Sequence, residues 1–207
     1  ITDNTRCIAA FNGEIEITDI DGSAADLANY AVNWSDGNSA KATPDLANSL
    51  TYTALAGATN YTVEVINLTT GCVNTETYTV DDDSTLPVVS FVSQVPNGVC
   101  DLSKAPNNVG GFTGSATVGQ AGSLDPGNLT YSWTYEDGTF DASGFTTATI
   151  SNAKDGDYTV TVTDGLGCTS TPITVTILFD QQLPVITESI TDNTRCIAAF
   201  NGEIEIT

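Results

Sequence analysis

Histidine and methionine are absent from this 207-residue chain, and basic residues are scarce. There are five Lys and Arg residues against 26 Asp and Glu, which gives a net charge of −21. Without histidine, neither a Ser-His-Asp nor a Cys-His nucleophile arrangement can form. Binding to nucleic acid needs clustered Lys and Arg on the phosphates, and this chain has no such clusters. The same charge repels anionic membranes. Since every apolar run is far shorter than the roughly 18 residues of a spanning helix, we also expect no membrane insertion.

Two further motifs are missing. There is no Cys-x-x-Cys, which together with the absence of histidine argues against a zinc site. No phosphate-cradling glycine motif is present. Residue type alone does not exclude a pair of catalytic carboxylates. However, the acidic residues fall mostly in turns and at outward strand positions, as on a solvated surface. We therefore expect no enzymatic activity and no cofactor.

The strongest pattern is an internal repeat. The segments 1–18 and 190–207 are identical, so the repeat period is 190 − 1 = 189. Identity over eighteen positions indicates a recent duplication, because β-domains tolerate wide surface variation. The sequence therefore predicts a segment cut from a longer tandem array, in which residues 183–207 begin the next repeat.

A second, older repeat divides the 189-residue unit into two halves. Leu-Pro-Val occurs at 86–88 and 183–185, and Gly-Cys occurs at 71–72 and 167–168. The matched offsets run from 96 (168 − 72) to 99 (133 − 34), which is a usual length for one compact domain. We predict two diverged domains, residues 1–85 and 86–182.

Short strands with period-2 alternation, separated by turn residues, predict an all-β fold. Each half has one Trp in an early strand, Trp34 and Trp133. Each half also has a Tyr at the start of a late strand, Tyr61 and Tyr158, directly after a glycine turn. This placement is similar to the tyrosine corner of immunoglobulin-like domains. The predicted architecture is a tandem of immunoglobulin-like β-sandwiches.

The five cysteines fit the repeat. The sequence separations are nearly equal, 72 − 7 = 65 for Cys7 and Cys72 and 168 − 100 = 68 for Cys100 and Cys168. This favours one disulfide within each domain, although other pairings are possible. Cys196 is the copy of Cys7, and we expect its partner in the following repeat. Disulfides indicate an extracellular or cell-surface location.

One acidic cluster is a candidate metal site. Asp81, Asp82 and Asp83 lie together at the predicted domain junction, and Ca²⁺ prefers six to eight oxygen ligands. The alternative is a solvated linker, because the other junction lacks the cluster. Asp19 and Asp21 form a weaker candidate, for which a turn is the alternative.

The order of motifs resembles the repeat of the giant SprB-type gliding-motility adhesins of Bacteroidota. The motifs are Asn-Gly-x-Ile-x-Ile (12–17), Tyr-x-x-x-Trp-Ser-x-Gly (30–37), Tyr-Thr-Val-x-Val (61–65) and Gly-Cys (71–72). In the second half, Phe-Thr-Gly at 112–114 takes the position that Phe-Asn-Gly at 11–13 has in the first half. The resemblance implies secretion, surface anchoring elsewhere in the parent protein, and a role in gliding or capture of surfaces and cells.

Two functions follow as hypotheses. The first is a structural repeat of an extracellular adhesin or surface filament, acting as a stalk. Its partners are neighbouring repeats, identical chains in a filament, and an unidentified surface or cell target. The alternative is a glycan-binding or Ca²⁺-dependent adhesive module.

Overall fold

A computed structural model describes residues 1–36, 45–104 and 110–206. The predicted all-β class is confirmed, since the described residues form sixteen strands, one short 3-10 turn (Leu102–Lys104) and no α-helix. Gly37, the last residue of the Tyr-x-x-x-Trp-Ser-x-Gly motif, lies outside the described residues. We use domain 1 for residues 1–85 and domain 2 for residues 86–182. The boundaries at 85 and 182 stay predictions.

Eight strands are described in domain 1. β4, β7 and β8 form a four-stranded sheet with β5 in the order β5-β4-β7-β8, while β1 pairs with β6 and β2 pairs with β3. All these pairings are antiparallel. The strands are β1 (Gly13–Glu16), β2 (Asp19–Ile20), β3 (Ser23–Ala24), β4 (Tyr30–Ser35), β5 (Leu46–Ala47), β6 (Thr51–Leu55), β7 (Thr59–Asn67) and β8 (Val73–Val80).

Six strands are described in domain 2, in two three-stranded sheets with the orders β12-β10-β9 and β11-β13-β14. The first sheet pairs β10 with both neighbours, and the second pairs β13 with both of its neighbours, all antiparallel. The strands are β9 (Val88–Val95), β10 (Gly114–Ala121), β11 (Thr130–Tyr135), β12 (Thr149–Ala153), β13 (Gly156–Thr163) and β14 (Ile173–Ile177).

Each domain has its own hydrophobic core, because alternate residues of its strands face inward. In domain 1 the buried residues are Ile15, Val32, Trp34, Leu55, Tyr61, Val63 and Val80. In domain 2 they include Trp133, Ile150, Tyr158, Val160, Val162, Val175 and Ile177. Each fully buried aliphatic side chain contributes about 1.5–3 kcal/mol. The two cores lie entirely on either side of residue 85.

The buried tryptophans have matching partners in the two domains. The indole N–H of Trp34 donates to the Ser49 carbonyl oxygen at 2.8 Å, and that of Trp133 donates to Thr147 at 2.9 Å. These bonds satisfy the one polar atom of each buried indole.

The hydroxyls of the two corner tyrosines bond back to the preceding loop. Tyr61 donates to the Ala56 carbonyl oxygen at 3.1 Å, and Tyr158 donates to that of Lys154 at 2.9 Å. The predicted tyrosine-corner arrangement is confirmed in both halves. Burial raises the pKa of the Tyr158 hydroxyl well above its ordinary value.

One glycine in each domain permits a close backbone approach between two paired strands. A Cβ on Gly13 would lie 2.6 Å from the Leu55 carbonyl oxygen, and a Cβ on Gly114 would lie 2.5 Å from that of Ala153. A register shift follows each glycine. The two Phe-x-Gly motifs therefore occupy equivalent positions, as the sequence predicted.

Residues 183–206 form a separate hairpin of β15 (Glu188–Thr191) and β16 (Glu203–Ile206). Its apolar side chains are exposed; Ile204, for example, is 73% accessible, whereas its copy Ile15 is 2% accessible in domain 1. The same sequence is therefore buried only where a whole domain covers it.

Candidate functional site

The two domains are joined by a disulfide bond. Cys7 of domain 1 is bonded to Cys168 of domain 2, with the Cα atoms 4.9 Å apart at a sequence separation of 161. The Cys7 amide also donates to the Leu166 carbonyl oxygen at 3.2 Å. Cys72, Cys100 and Cys196 are exposed free thiols. The predicted pairs Cys7–Cys72 and Cys100–Cys168, one within each domain, are therefore wrong.

The geometry of the sandwich explains this correction. Cys7 follows Asn4, which pairs with Asp82 just beyond the end of β8. Cys72 lies at the start of β8, and eight strand residues span about 26 Å. A disulfide needs Cα atoms within about 7 Å. Equal sequence separations show that the two domains are built alike, but not that the paired residues are close.

A buried asparagine holds the Cys7 loop in place. Asn4 is 2% exposed. Its side-chain amide donates to the Arg6 carbonyl oxygen at 2.8 Å, and its side-chain oxygen accepts from the Asn12 amide at 3.2 Å. Its backbone bonds to Asp81 and Asp83 on the strand that leaves domain 1. The loop is thus clamped at both ends to the edge of the domain that meets domain 2.

The same clamp recurs in domain 2. Asn97 is completely buried, donates to the Val99 carbonyl oxygen at 3.0 Å and accepts from the Thr113 amide at 3.2 Å. It also donates to Asp155 at 2.9 Å. Its backbone bonds to Leu178 and Asp180 match those of Asn4.

A third copy lies in the C-terminal hairpin, where Asn193 bonds to Arg195 and Asn201. Each clamping asparagine stands three residues before a cysteine, in an Asn-x-x-Cys pattern at 4–7, 97–100 and 193–196. The sequence interpretation missed these asparagines, although the triple occurrence of the spacing is visible in the sequence.

Cys168 lies in the tight turn between β13 and β14. The Asp164 carboxylate accepts from the Leu166 and Cys168 amides, both at 3.0 Å. Gly167 has a φ of +80°, a left-handed conformation that suits glycine. A Cβ on Gly167 would lie 2.5 Å from the Ile8 side chain of domain 1. Glycine is therefore needed both for the turn and for the contact between the domains.

The turn between β7 and β8 of domain 1 has the same construction. Asn67 replaces Asp164, and its side-chain oxygen accepts from the Thr69 and Thr70 amides at 2.9 and 3.0 Å. Gly71 has a φ of +71° and has no other atom within 4 Å of the position its Cβ would take. Cys72 is thus presented like Cys168, but on an open surface.

The structure does not gather Asp81, Asp82 and Asp83 around one point. Their backbone is extended around the bridge between Asn4 and Asp82, and successive side chains of an extended chain face opposite sides. Hydrogen bonds from the Ser84 side chain and amide, and then from Asn4, lower the pKa of the Asp82 carboxyl. Within the described ranges, no three His, Cys, Asp or Glu side chains are placed to hold a metal ion. The Ca²⁺ hypothesis at this junction stays a prediction.

Asp19 and Asp21 lie at the β2–β3 turn, beside an open cleft in domain 1. Asp19 accepts from the Gly22 amide at 2.9 Å, which confirms the turn alternative. The cleft measures about 350 Å³, and its lining includes Tyr30, Tyr78 and Glu76. The Tyr30 hydroxyl donates to Asp21 at 2.7 Å, and this bond raises the pKa of Tyr30.

No helix among the described residues has the length and apolar character needed to cross a membrane.

No protein-family model matches the chain, and no curated protein matches it. Similar solved structures include the three N-terminal domains of the bacteriophage RB49 highly immunogenic outer capsid protein, Hoc, with 14% identity and a TM-score of 0.39 over 86% of this chain and 59% of that one. The chain thus spans less than two thirds of the Hoc structure. Fibronectin(III)-like modules of Clostridium thermocellum CbhA have 17% identity and a TM-score of 0.30, covering 73% of this chain and 78% of theirs. Extracellular domains 3–5 of Drosophila OTK have 11% identity and a TM-score of 0.26, and the match covers 91% of this chain and 67% of theirs.

Proposed function

We propose that this chain is a structural repeat of an extracellular adhesin or surface filament and acts as a stalk. The observation that carries the proposal is the Cys7–Cys168 bond, which joins two consecutive domains of a repeating chain. A bond between domains does little for the core of either one. It fixes their relative position, which is what a stalk requires.

The bond also shortens the path along which force travels. A pull on the chain ends passes from Cys7 directly to Cys168 and bypasses the 161-residue separation between them. The core of domain 1 lies inside the bypassed segment, and so does that of domain 2 except for Val175 and Ile177 of β14. Domain 1 and most of domain 2 are therefore shielded from unfolding under load, whereas β14 stays in the loaded path. An oxidising environment outside the cell maintains such a bond.

Single-molecule stretching between the chain ends tests the mechanical role. With the disulfide intact, extension is limited to the residues outside the bridge. After reduction, the contour length increases by about 550 Å, from about 3.4 Å for each released residue. Cys72→Ser is the matched control, because it removes an exposed thiol and leaves the bridge. An equal contour length before and after reduction would contradict the stalk mechanism.

Immunogold electron microscopy of intact source cells tests the location. Antibodies against the chain should label structures that project from the cell surface. Labelling confined to the cytoplasm would contradict an extracellular adhesin, since the disulfide requires oxidising conditions.

Glycan binding is a second candidate, favoured by the cleft of domain 1. Its Tyr30 and Tyr78 rings and the Asp21 and Glu76 carboxylates are the kinds of group that stack on sugar rings and accept from sugar hydroxyls. Binding to a glycan array that is lost in Tyr30→Ala, and kept in the control Tyr131→Ala of domain 2, would support this function. Absence of binding by the intact chain leaves the stalk as the sole proposal.

A further inference from the structure

We infer that the Cys7–Cys168 bond is one member of a series, in which Cys100 of each 189-residue unit is bonded to Cys72 of the following unit. Every domain of the array is then bonded to both of its neighbours. This inference rests on the proposed tandem array and names the partner of the two exposed thiols.

The first step is the equivalence of the two bonded elements. Cys100 follows the Asn97 clamp as Cys7 follows the Asn4 clamp, each three residues further on. Cys72 follows a glycine with a φ of +71° in a turn between two strands, as Cys168 follows one with a φ of +80°. Each turn is also closed by two backbone bonds. The Asn67 amide donates to the Cys72 carbonyl oxygen at 2.9 Å and that of Asp164 to Cys168 at 3.0 Å, while the Gly71 and Gly167 amides donate back to Asn67 and Asp164.

The second step is the direction of the bond. Within this chain, the loop after an asparagine clamp belongs to domain 1, and the strand turn belongs to domain 2, the next domain along. The same rule applied to Cys100 places its partner in the domain that follows domain 2. In an array with the 189-residue period, that domain is a copy of domain 1, and its turn carries Cys72.

The third step excludes a bond between Cys72 and Cys100 of the same unit. Cys72 lies at the end of β8 remote from the domain junction. Cys100 follows Asn97, and Asn97 pairs with Phe179. Phe179 lies just beyond the C-terminal end of β14, whereas the Cys168 turn precedes the N-terminal end of that strand. The two thiols are thus at opposite ends of the two-domain unit, separated by two strand lengths of about 25 Å each. A disulfide spans no more than about 7 Å between Cα atoms.

The sequence spacing agrees with this scheme. Cys100 follows Cys72 by 100 − 72 = 28 positions, and Cys196 follows Cys168 by the same interval, 196 − 168 = 28. Given the 189-residue period, the sequence separation of 161 then holds for both bonds, Cys7–Cys168 and Cys100 to the next Cys72. Cys196 lies in the identical copy of the Cys7 loop, and by the same rule it is bonded to Cys168 of the next unit. The thiols lose two protons and two electrons for each bond formed, and an oxidised glutathione disulfide accepts them.

A two-unit chain tests the inference. Residues 19–207 appended after Thr207 continue the repeat without a break, because 190–207 and 1–18 are identical. After refolding with reduced and oxidised glutathione, thiol titration of the unfolded protein should find three free thiols, the number found in the single chain. If the added cysteines made no new bond between Cys100 and Cys72, five thiols would remain, and the inference would be overturned.

Two matched variants identify the pairing. Cys100→Ser in the first unit should raise the free-thiol count by one, since it releases Cys72 of the second unit. Cys72→Ser in the first unit should lower the count by one and leave all bonds in place. If Cys72→Ser in the first unit instead released a thiol, pairing would lie within one unit and the inference would be wrong.

Peptide mapping without reduction completes the test. Isotope labelling of one unit, followed by ligation to an unlabelled one, should give a mixed Cys72–Cys100 peptide with one labelled half. This pairing result is independent of where the protein resides, so its failure would leave the immunogold result and the stalk proposal intact.

Discussion

Asn4 and Asn97 share a set of hydrogen bonds in the two domains, to which Asn97 adds one to Asp155. Each donates through its side chain to the carbonyl oxygen two residues ahead and accepts from the amide at the end of the cysteine loop. Each also bonds through its backbone to the segment directly after the last strand of its domain. This shared clamp, more than the cysteines alone, determines where the loop is presented.

Asn97→Ala should destabilise domain 2 by about 2–4 kcal/mol, because it removes a completely buried side chain that bonds to Val99, Thr113 and Asp155. Chemical denaturation followed by Trp133 fluorescence measures the change. Asn193→Ala is the control, since Asn193 makes similar bonds in an exposed hairpin. A loss of stability as large in the control as in Asn97→Ala would contradict the role of burial.

Gly167→Ala should disrupt the contact between the domains as well as straining the turn. An added Cβ at Gly167 meets the Ile8 side chain at 2.5 Å, whereas the same change at Gly71 meets nothing within 4 Å. Both glycines have a positive φ, so both variants carry left-handed strain of about 1–2 kcal/mol. Small-angle X-ray scattering and disulfide yield should change in Gly167→Ala and stay near wild type in Gly71→Ala.

Gly114→Ala should destabilise domain 2 by about 2 kcal/mol or more, because the added Cβ would lie 2.5 Å from the Ala153 carbonyl oxygen. The backbone at this position cannot move without breaking the pairing of β10 with β12. Gly144→Ala, which meets nothing within 4 Å, is the matched control. Thermal unfolding should show a lower transition temperature in Gly114→Ala and little change in Gly144→Ala.

The stability of domain 2 should fall as the pH rises above about 10. Tyr158 titrates near 10 in the unfolded chain, while burial raises the pKa of its hydroxyl in the folded domain. The unfolded state therefore releases a proton that the folded state retains, and its free energy falls relative to that of the folded state. Tyr158→Phe should weaken this dependence.

The measurement for Tyr158 is denaturation at several pH values between 8 and 11. Serine replacements of Cys72, Cys100 and Cys196 in both proteins prevent thiol exchange at high pH. An unchanged slope in Tyr158→Phe would show that other groups cause the pH dependence.

Much of the fold was predictable because its determinants are local. Alternation along a strand places Val32 and Trp34 on one face, and the glycine turns before Tyr61 and Tyr158 position their hydroxyls. The spacing of the motifs predicts the two-domain repeat.

The disulfide pairing depended on tertiary structure instead. Sequence alone determined that each domain has one cysteine in an early loop and one in a late strand turn, and that residues 1–18 recur at 190–207. Only the folded chain decided that these two elements lie at opposite ends of a sandwich. Cys7 therefore meets Cys168 of the next domain, and not Cys72 of its own. The physical reason is that Cys7 and Cys72 lie at opposite ends of a strand about 26 Å long, although the equal sequence separations predicted that they pair.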